Sequence, residues 1–118
     1  MVALVGDGSY LFGVPSSAQW VARRYNAPSL TVIYNNRGWA APKFSTLLVH
    51  GQGAAAAADD FHFSFEPEAD LPGIAAAAGG AYAVTVAEPA ELTGVLKDAL
   101  AVVVGGRSAV VSVHLPPV

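Results

Sequence analysis

Oxygen-bearing side chains suited to bind a metal ion follow two short apolar segments of the sequence. Asp7, within Gly6–Asp7–Gly8, comes directly after Val2–Val5, and Asn36 follows Leu30–Tyr34. If both segments are parallel strands, the carboxylate and the carboxamide emerge at the same edge of a sheet. Such hard oxygen ligands suit Mg²⁺, which takes its remaining ligands from phosphate and water. The pair therefore predicts a site for a metal-bound diphosphate.

Neighbouring residues add to this predicted site. Gly6 and Gly8 allow a sharp turn and close approach of a ligand to the backbone. Gly38 offers a carbonyl oxygen with no side chain beside it, and Ser9 is placed to face phosphate oxygens near a helix start. Taken singly, Gly-Asp-Gly and Asn-Asn are common turns. A dinucleotide-binding fingerprint is the nearest competitor, but the third glycine that it requires is missing, and no Gly-x4-Gly-Lys phosphate loop is present.

The elements that must position these residues alternate between strand and helix patterns. Apolar β-rich runs predict buried strands, and 3.6-residue periodicity with proline and glycine boundaries predicts helices. The predicted strands are Val2–Val5, Leu30–Tyr34, Ala83–Val86 and Ser108–His114, and the predicted helices are Ser16–Tyr25, Leu71–Ala78 and Pro89–Val104. This order predicts a layered α/β fold, a mostly parallel sheet with helices on both faces.

The middle of the chain, residues 37–69, lacks this regularity. It predicts a long functional or poorly ordered loop, with one helical turn at Ala54–Ala58. Phe61, Phe63 and Phe65 alternate as in a half-buried strand, and they suit either a cofactor pocket or a subunit interface. Trp39 suits either an active-site lining or packing under the loop.

Composition narrows the class of protein. Of 118 residues, 53% are hydrophobic and only 13% charged, so part of the surface is expected to meet another protein surface. A net charge of −3 with six basic residues argues against nucleic-acid binding. The absence of cysteine excludes disulfides and thiol nucleophiles, and it fits an intracellular, cytoplasmic protein. The uncharged run Leu71–Ala87 is too broken by proline and glycine to span a membrane.

The two motifs in their context resemble the thiamin-diphosphate binding motif. Besides Gly6–Ser9, the resemblance includes the segments Gln19–Pro28 and Val32–Trp39 and covers nearly the whole chain. It is to the C-terminal domain of acetolactate synthase-like and benzoylformate decarboxylase-like enzymes, carboligases and decarboxylases of 2-oxo acids. It implies that Asp7, Asn36 and the Gly38 carbonyl hold Mg²⁺ against the diphosphate of thiamin diphosphate. By the same resemblance, Gly6 and Gly8 shape the turn, and Ser9 and Tyr10 contact the diphosphate.

The resemblance also implies parts that this sequence does not contain. In the family, a glutamate on a separate pyrimidine-binding domain, usually from another subunit of a homo-oligomer, activates the cofactor. Residues 1–118 are therefore expected to be one partial domain, incomplete at its N-terminus, with no catalytic residue of its own and no turnover alone. A non-catalytic remnant or a separately encoded subunit stays open as an alternative, as does a generic small-molecule-binding α/β domain.

The remaining polar residues show no pattern of chemistry. His50, His62 and His114 lack metal-ligand spacing, and His114 is expected to be structural because it ends a strand. The acidic pairs and clusters at Asp59–Asp60 and Glu66–Asp70 are expected to be solvated loop.

Overall fold

The computed structural model describes all 118 residues, which form four strands and six helices with a short 3-10 turn at Pro89–Glu91. The strands and helices follow in the order β1 (Val2–Gly6), α1 (Asp7–Phe12), α2 (Pro15–Arg24), β2 (Leu30–Asn35), α3 (Ala40–His50), α4 (Ala54–Ala58), α5 (Leu71–Gly79), β3 (Tyr82–Val86), α6 (Leu92–Val104) and β4 (Ala109–His114). No helix of this fold is both long and apolar enough to cross a bilayer.

The sheet is wholly parallel, with the strand order β1-β2-β4-β3. Its two central strands, β2 and β4, are almost continuously buried, as expected of strands covered on both faces. Because all four strands run in the same direction, the residues that follow β1 and β2 lie at the same end of the sheet, beyond the carboxyl ends of its strands. The predicted parallel sheet with helices on both faces is confirmed.

Two apolar clusters form the core, one on each face of the sheet. On the first face, Ile33 and Val110 pack with Tyr10 of α1 and with Leu71 and Ala75 of α5. On the second face, the wholly buried Ala99 of α6 lies in a cluster with strand residues of β2, β3 and β4, namely Leu30, Val32, Val86, Ala109 and Val111. The helices therefore cover the central strands β2 and β4 on both sides.

Strand β1 is covered less well than the others. The register pairs Val2 with Leu30 and Leu4 with Val32, so Val2 and Leu4 point to the face that α6 covers farther along the sheet. Yet Val2 is 59% exposed and Leu4 61% exposed. Beside the free edge of β1, this leaves an apolar stripe open to solvent.

Helix boundaries follow local chemistry. The Asp70 carboxylate accepts a hydrogen bond of 2.9 Å from the Gly73 N–H, which caps the start of α5. Gly80 ends that helix in the left-handed conformation, with φ of +67°. Pro15 occupies the first turn of α2, as the sequence predicts.

Helix α1 begins at Asp7 immediately after β1, so the chain turns from strand to helix at Gly6–Gly8. One prediction about local structure is wrong. The segment 37–69 is not a structureless loop, because α3 spans Ala40–His50 within it. The helical turn at Ala54–Ala58 is confirmed as α4.

The base of this segment is held by backbone pairing. The Trp39 N–H donates to the Phe63 carbonyl and the Phe65 N–H donates to the Arg37 carbonyl, each at 2.9 Å. These bonds flank an isolated bridge between Gly38 and Ser64. Phe61, Phe63 and Phe65 alternate in burial as predicted, although no strand forms there. We call residues 40–63, the stretch that this pairing encloses, the excursion. Neither of its helices, α3 and α4, contains a buried residue.

Candidate functional site

The Asp7 carboxylate is the only charged group at the centre of the candidate site. It lies at the carboxyl end of β1 and is only 3% exposed. Its oxygens accept hydrogen bonds from the Gly8 N–H at 2.7 Å and from the Gly38 N–H at 3.0 Å. None of the three ion pairs in the protein involves Asp7. A buried carboxylate without a cationic partner is costly, and a bound metal ion removes that cost.

Asn36 brings a second polar group against this carboxylate. One end of its side-chain amide lies 2.8 Å from the Gly38 carbonyl oxygen, and 3.1 and 3.2 Å from the two Asp7 oxygens. With nitrogen at that end, the amide donates hydrogen bonds to these oxygens. With oxygen there, only a cation between the oxygens relieves their repulsion. The orientation of this amide therefore depends on whether a cation is bound.

The spacing of these oxygens fits a small octahedral ion. Ligands at 2.0–2.1 Å from Mg²⁺ on adjacent octahedral corners lie about 2.9 Å apart. One Asn36 amide atom lies 2.8 Å from the Gly38 carbonyl oxygen and 3.1 and 3.2 Å from the Asp7 oxygens, which is close to this value. No group of three or more His, Cys, Asp or Glu side chains occurs in the fold, which argues against a zinc-type site. The donor set fits Mg²⁺ that takes further ligands from phosphate and water.

A cleft of about 420 Å³ opens beside these oxygens. Its volume lies within the usual range for small-molecule sites. The lining includes six of the seven residues that the sequence assigns to the site, and Ser9 among them is exposed. The lining residues are Gly6, Asp7, Gly8, Ser9, Tyr34, Asn36, Gly38, Trp39, Ala40, Ala41, Pro42 and Leu115.

Tyr10 is the exception among the predicted site residues. Its side chain is 7% exposed and packs in the first core cluster, away from the cleft lining. Its hydroxyl has no hydrogen-bond partner, and burial raises the pKa of Tyr10 to about 12. The side chain of Tyr10 therefore lies outside the cleft, and a contact between Tyr10 and a diphosphate stays a prediction. The physical reason is that α1 starts at Asp7, so that Ser9 faces the cleft and Tyr10 turns toward the sheet.

Trp39 serves both roles that the sequence left open. It lines the cleft, and it packs against Phe12 at a centroid distance of 4.8 Å and against Phe65 at 5.4 Å. A Cβ added to Gly8 would overlap the Trp39 indole. Glycine is therefore required at position 8 for close packing against Trp39.

Sequence reasoning missed a polar cluster at the edge of the site. Glu68, for which the sequence indicates a solvated loop, contacts Asn35. His114, for which the sequence indicates a structural strand end, contacts Glu68 in turn. Asn35 and Glu68 lie 33 positions apart in the sequence, and Glu68 and His114 lie 46 positions apart. No spacing rule indicates such a contact, because it forms only when β2, β4 and the approach to α5 are assembled. The one available signal is that Asn35 directly precedes the predicted ligand Asn36.

Comparison with known proteins identifies the family. Residues 1–113 match the family described as the C-terminal TPP-binding domain of thiamine pyrophosphate enzymes. The chain belongs to this family. Membership in the thiamine pyrophosphate enzyme family implies thiamin diphosphate as the cofactor. Among curated protein sequences, none matches the chain significantly.

A solved structure has a similar fold. The chain is similar to the Rhodococcus jostii RHA1 thiamine diphosphate-dependent 4-hydroxybenzoylformate decarboxylase, with a TM-score of 0.73 and 26% sequence identity. The match covers 99% of this chain and 20% of the decarboxylase chain. The thiamine pyrophosphate domain described here thus spans a fifth of the length of that relative.

Proposed function

We propose that this chain binds the magnesium–diphosphate end of thiamin diphosphate, as the C-terminal module of a 2-oxo acid carboligase or decarboxylase. The observation that carries the proposal is the buried Asp7 carboxylate. It has no cationic partner within the chain, and the Asn36 amide lies within 3.2 Å of its oxygens and 2.8 Å from the Gly38 carbonyl oxygen. Family membership supplies the cofactor that such a metal would anchor.

In this proposal the protein contributes electrostatic anchoring. Asp7, Asn36 and the Gly38 carbonyl would hold Mg²⁺, and the exposed Ser9 hydroxyl is placed to donate to a phosphate oxygen. The cofactor, when bound, supplies the carbanion-stabilising chemistry. Gly8 and Trp39 pack closely against each other in the lining of the cleft.

The substrate class rests on similarity rather than on residues of this site. The similar decarboxylase acts on 4-hydroxybenzoylformate, which is a 2-oxo acid. We extend only the 2-oxo acid class to the protein that contains this chain. The acetolactate synthase-like resemblance adds carboligation as the second reaction of that class.

A pyrimidine-binding domain is proposed to complete the site, from the same protein or from a partner subunit of a homo-oligomer. The open stripe of Val2 and Leu4 on β1 favours such a partner surface. So does the excursion, where Phe44 is 66% exposed and Leu48 is 88% exposed. Apolar surface of this kind is usually covered by protein in the native assembly.

The test of the metal site is Asp7→Ala in the complete native protein. We expect at least a 100-fold loss of affinity for thiamin diphosphate at saturating Mg²⁺, equivalent to about 2.7 kcal/mol, because the one charged ligand is removed. Isothermal titration calorimetry measures this affinity. Asp98→Ala removes the same charge from an exposed position on α6 and should leave binding unchanged. Unaltered Mg²⁺-dependent affinity in Asp7→Ala would contradict the proposal.

A further inference from the structure

Asn35, which precedes the proposed metal ligand Asn36, is buried with every part of its side-chain amide in use. It is 2% exposed. Its Nδ2 donates to Glu68 Oε1 at 2.7 Å and to Ser112 Oγ at 3.2 Å. Its Oδ1 accepts from the Arg37 N–H at 3.1 Å. Nδ2 therefore donates both of its hydrogens and Oδ1 accepts one, so only this orientation of the Asn35 amide satisfies all three hydrogen bonds.

Glu68 connects this amide to a third segment of the chain. The oxygen that accepts from Asn35 also lies 2.9 Å from His114 Nε2 at the end of β4. Because a carboxylate accepts only, His114 Nε2 carries the hydrogen in this contact. Glu68 thereby ties the end of β2 to the end of β4 from the loop that enters α5. We call Glu68, His114 and Asn35 the clamp.

The clamp acts on the backbone that carries the proposed metal ligands. The bond from the Arg37 N–H to Asn35 Oδ1 spans Asn36 and closes a tight turn around it. Arg37 itself has φ of +57°, in the left-handed region that costs energy for a residue other than glycine. Such a conformation persists only where surrounding contacts hold it. One residue later, the Gly38 N–H reaches Asp7.

We propose that Glu68 and His114 are positioning residues for the metal site, acting through Asn35 on the turn that presents Asn36 and Gly38. This proposal rests on the proposed function, because the turn matters only if it holds the metal. Residues behind the direct ligands commonly set metal affinity, and their loss costs about 10- to 100-fold. Glu68 and His114 touch neither metal nor cofactor.

The test compares Glu68→Met with Glu68→Gln in the complete native protein. Methionine keeps the length of the side chain but offers no oxygen, whereas glutamine restores an acceptor for Asn35 and His114. We expect Glu68→Met to raise the Mg²⁺ concentration needed for half-maximal thiamin diphosphate binding about tenfold or more, and Glu68→Gln to recover most of that loss. Titration calorimetry at graded Mg²⁺ concentrations measures both.

Two further variants separate positioning from a general loss of stability. Glu88→Met removes an exposed carboxylate elsewhere and should bind Mg²⁺ as the unaltered protein does. His114→Leu removes one of the two contacts to Glu68 and should shift the Mg²⁺ requirement in the same direction by a smaller factor. If Glu68→Met does not fold, the Mg²⁺ requirement of His114→Leu tests the proposal instead. Glu68→Met leaves a buried Asn35 hydrogen without an acceptor and should lower the thermal unfolding temperature, so the Mg²⁺ requirement is compared at a temperature at which thermal unfolding shows every variant to be folded.

The outcomes distinguish the two proposals. If the unaltered protein binds no thiamin diphosphate at any Mg²⁺ concentration, the proposed function fails and the clamp fails with it. If the unaltered protein binds, but Glu68→Met and His114→Leu need no more Mg²⁺ than it does, only the clamp is overturned. A loss that Glu68→Gln does not recover also overturns it, because the carboxamide retains the acceptor on which the clamp depends.

Discussion

At the scale of single residues, the site depends on one buried charge and two neutral oxygens. Asp7 and Asn36 are predictable from sequence, because each directly follows a recognisable apolar strand. Their meeting at one sheet edge follows from parallel pairing of β1 with β2. Tyr10 is not predictable in the same way, since its direction depends on whether the chain after Gly6 turns or starts a helix. The observed start of α1 at Asp7 places Tyr10 in the core.

Tyr10→Phe tests this placement. We expect the variant to be more stable by about 1 kcal/mol at neutral pH, because it removes a buried hydroxyl that has no partner. Burial raises the pKa of Tyr10 from 10.0 to about 12, so the folded state holds the phenol proton more tightly than the unfolded state. The free energy of unfolding is therefore unaffected by this proton below about pH 10 and falls as the pH rises from there through about 12. The phenylalanine variant lacks this alkaline loss. Denaturant unfolding at pH 7 and in the alkaline range measures both effects.

Thiamin diphosphate binding provides the matching control for Tyr10→Phe. Affinity should stay unchanged, because the side chain lies outside the cleft lining. Weaker binding in the phenylalanine variant would instead restore the contact with the diphosphate that the sequence indicates.

At the scale of elements, the four strands and three of the helices are predictable because each has a clear period and boundary. Helix α3 is not, since its exposed Phe44, Leu48 and Val49 give it no buried face to produce a recognisable stripe. Pro42 reads as a helix breaker in the sequence. In the structure it falls in the first turn of α3, where proline is tolerated.

The packing of α2 on α5 gives a prediction at this scale. A Cβ on Gly79 would lie 2.6 Å from the Gln19 carbonyl oxygen, and this backbone atom of α2 cannot move aside alone. Gly79→Ala should therefore destabilise the fold by about 1–3 kcal/mol. Gly94 in α6 has open space around it, so Gly94→Ala should stabilise by up to about 1 kcal/mol. Urea unfolding of both variants checks the pair, and equal effects would contradict it.

At the scale of the whole molecule, a small part of the chain is buried. Only 22 of 118 residues are buried. The radius of gyration is 16.2 Å, whereas a compact domain of this length has about 13.5 Å. The low charged content in the sequence indicates a covered surface, but it does not say where. In the structure, exposed apolar side chains lie on one face of β1, at Val2 and Leu4, and on the excursion, at Phe44, Leu48 and Val49.

The stripe on β1 should make the 118-residue chain self-associate. A free parallel edge beside exposed Val2 and Leu4 is a template for pairing with another chain. Leu4→Lys should weaken self-association at least tenfold, about 1.4 kcal/mol, as measured by sedimentation velocity across a concentration series. Leu100→Lys changes an exposed leucine on α6 and should have little effect. A monomer at all concentrations, or equal effects of both variants, would contradict this interpretation.

The short pairing at the base of the excursion has an energetic consequence for ligand binding. Gly38 belongs both to the bridge with Ser64 and to the group of oxygens around Asn36. A metal that fixes the Gly38 carbonyl would also restrain the two ends of the excursion, which adjoin this bridge. Part of the intrinsic affinity would then offset the conformational entropy lost by more than twenty residues, none of which is fully buried. Any partner that orders the excursion first would raise the affinity for the metal, with no new contact to it.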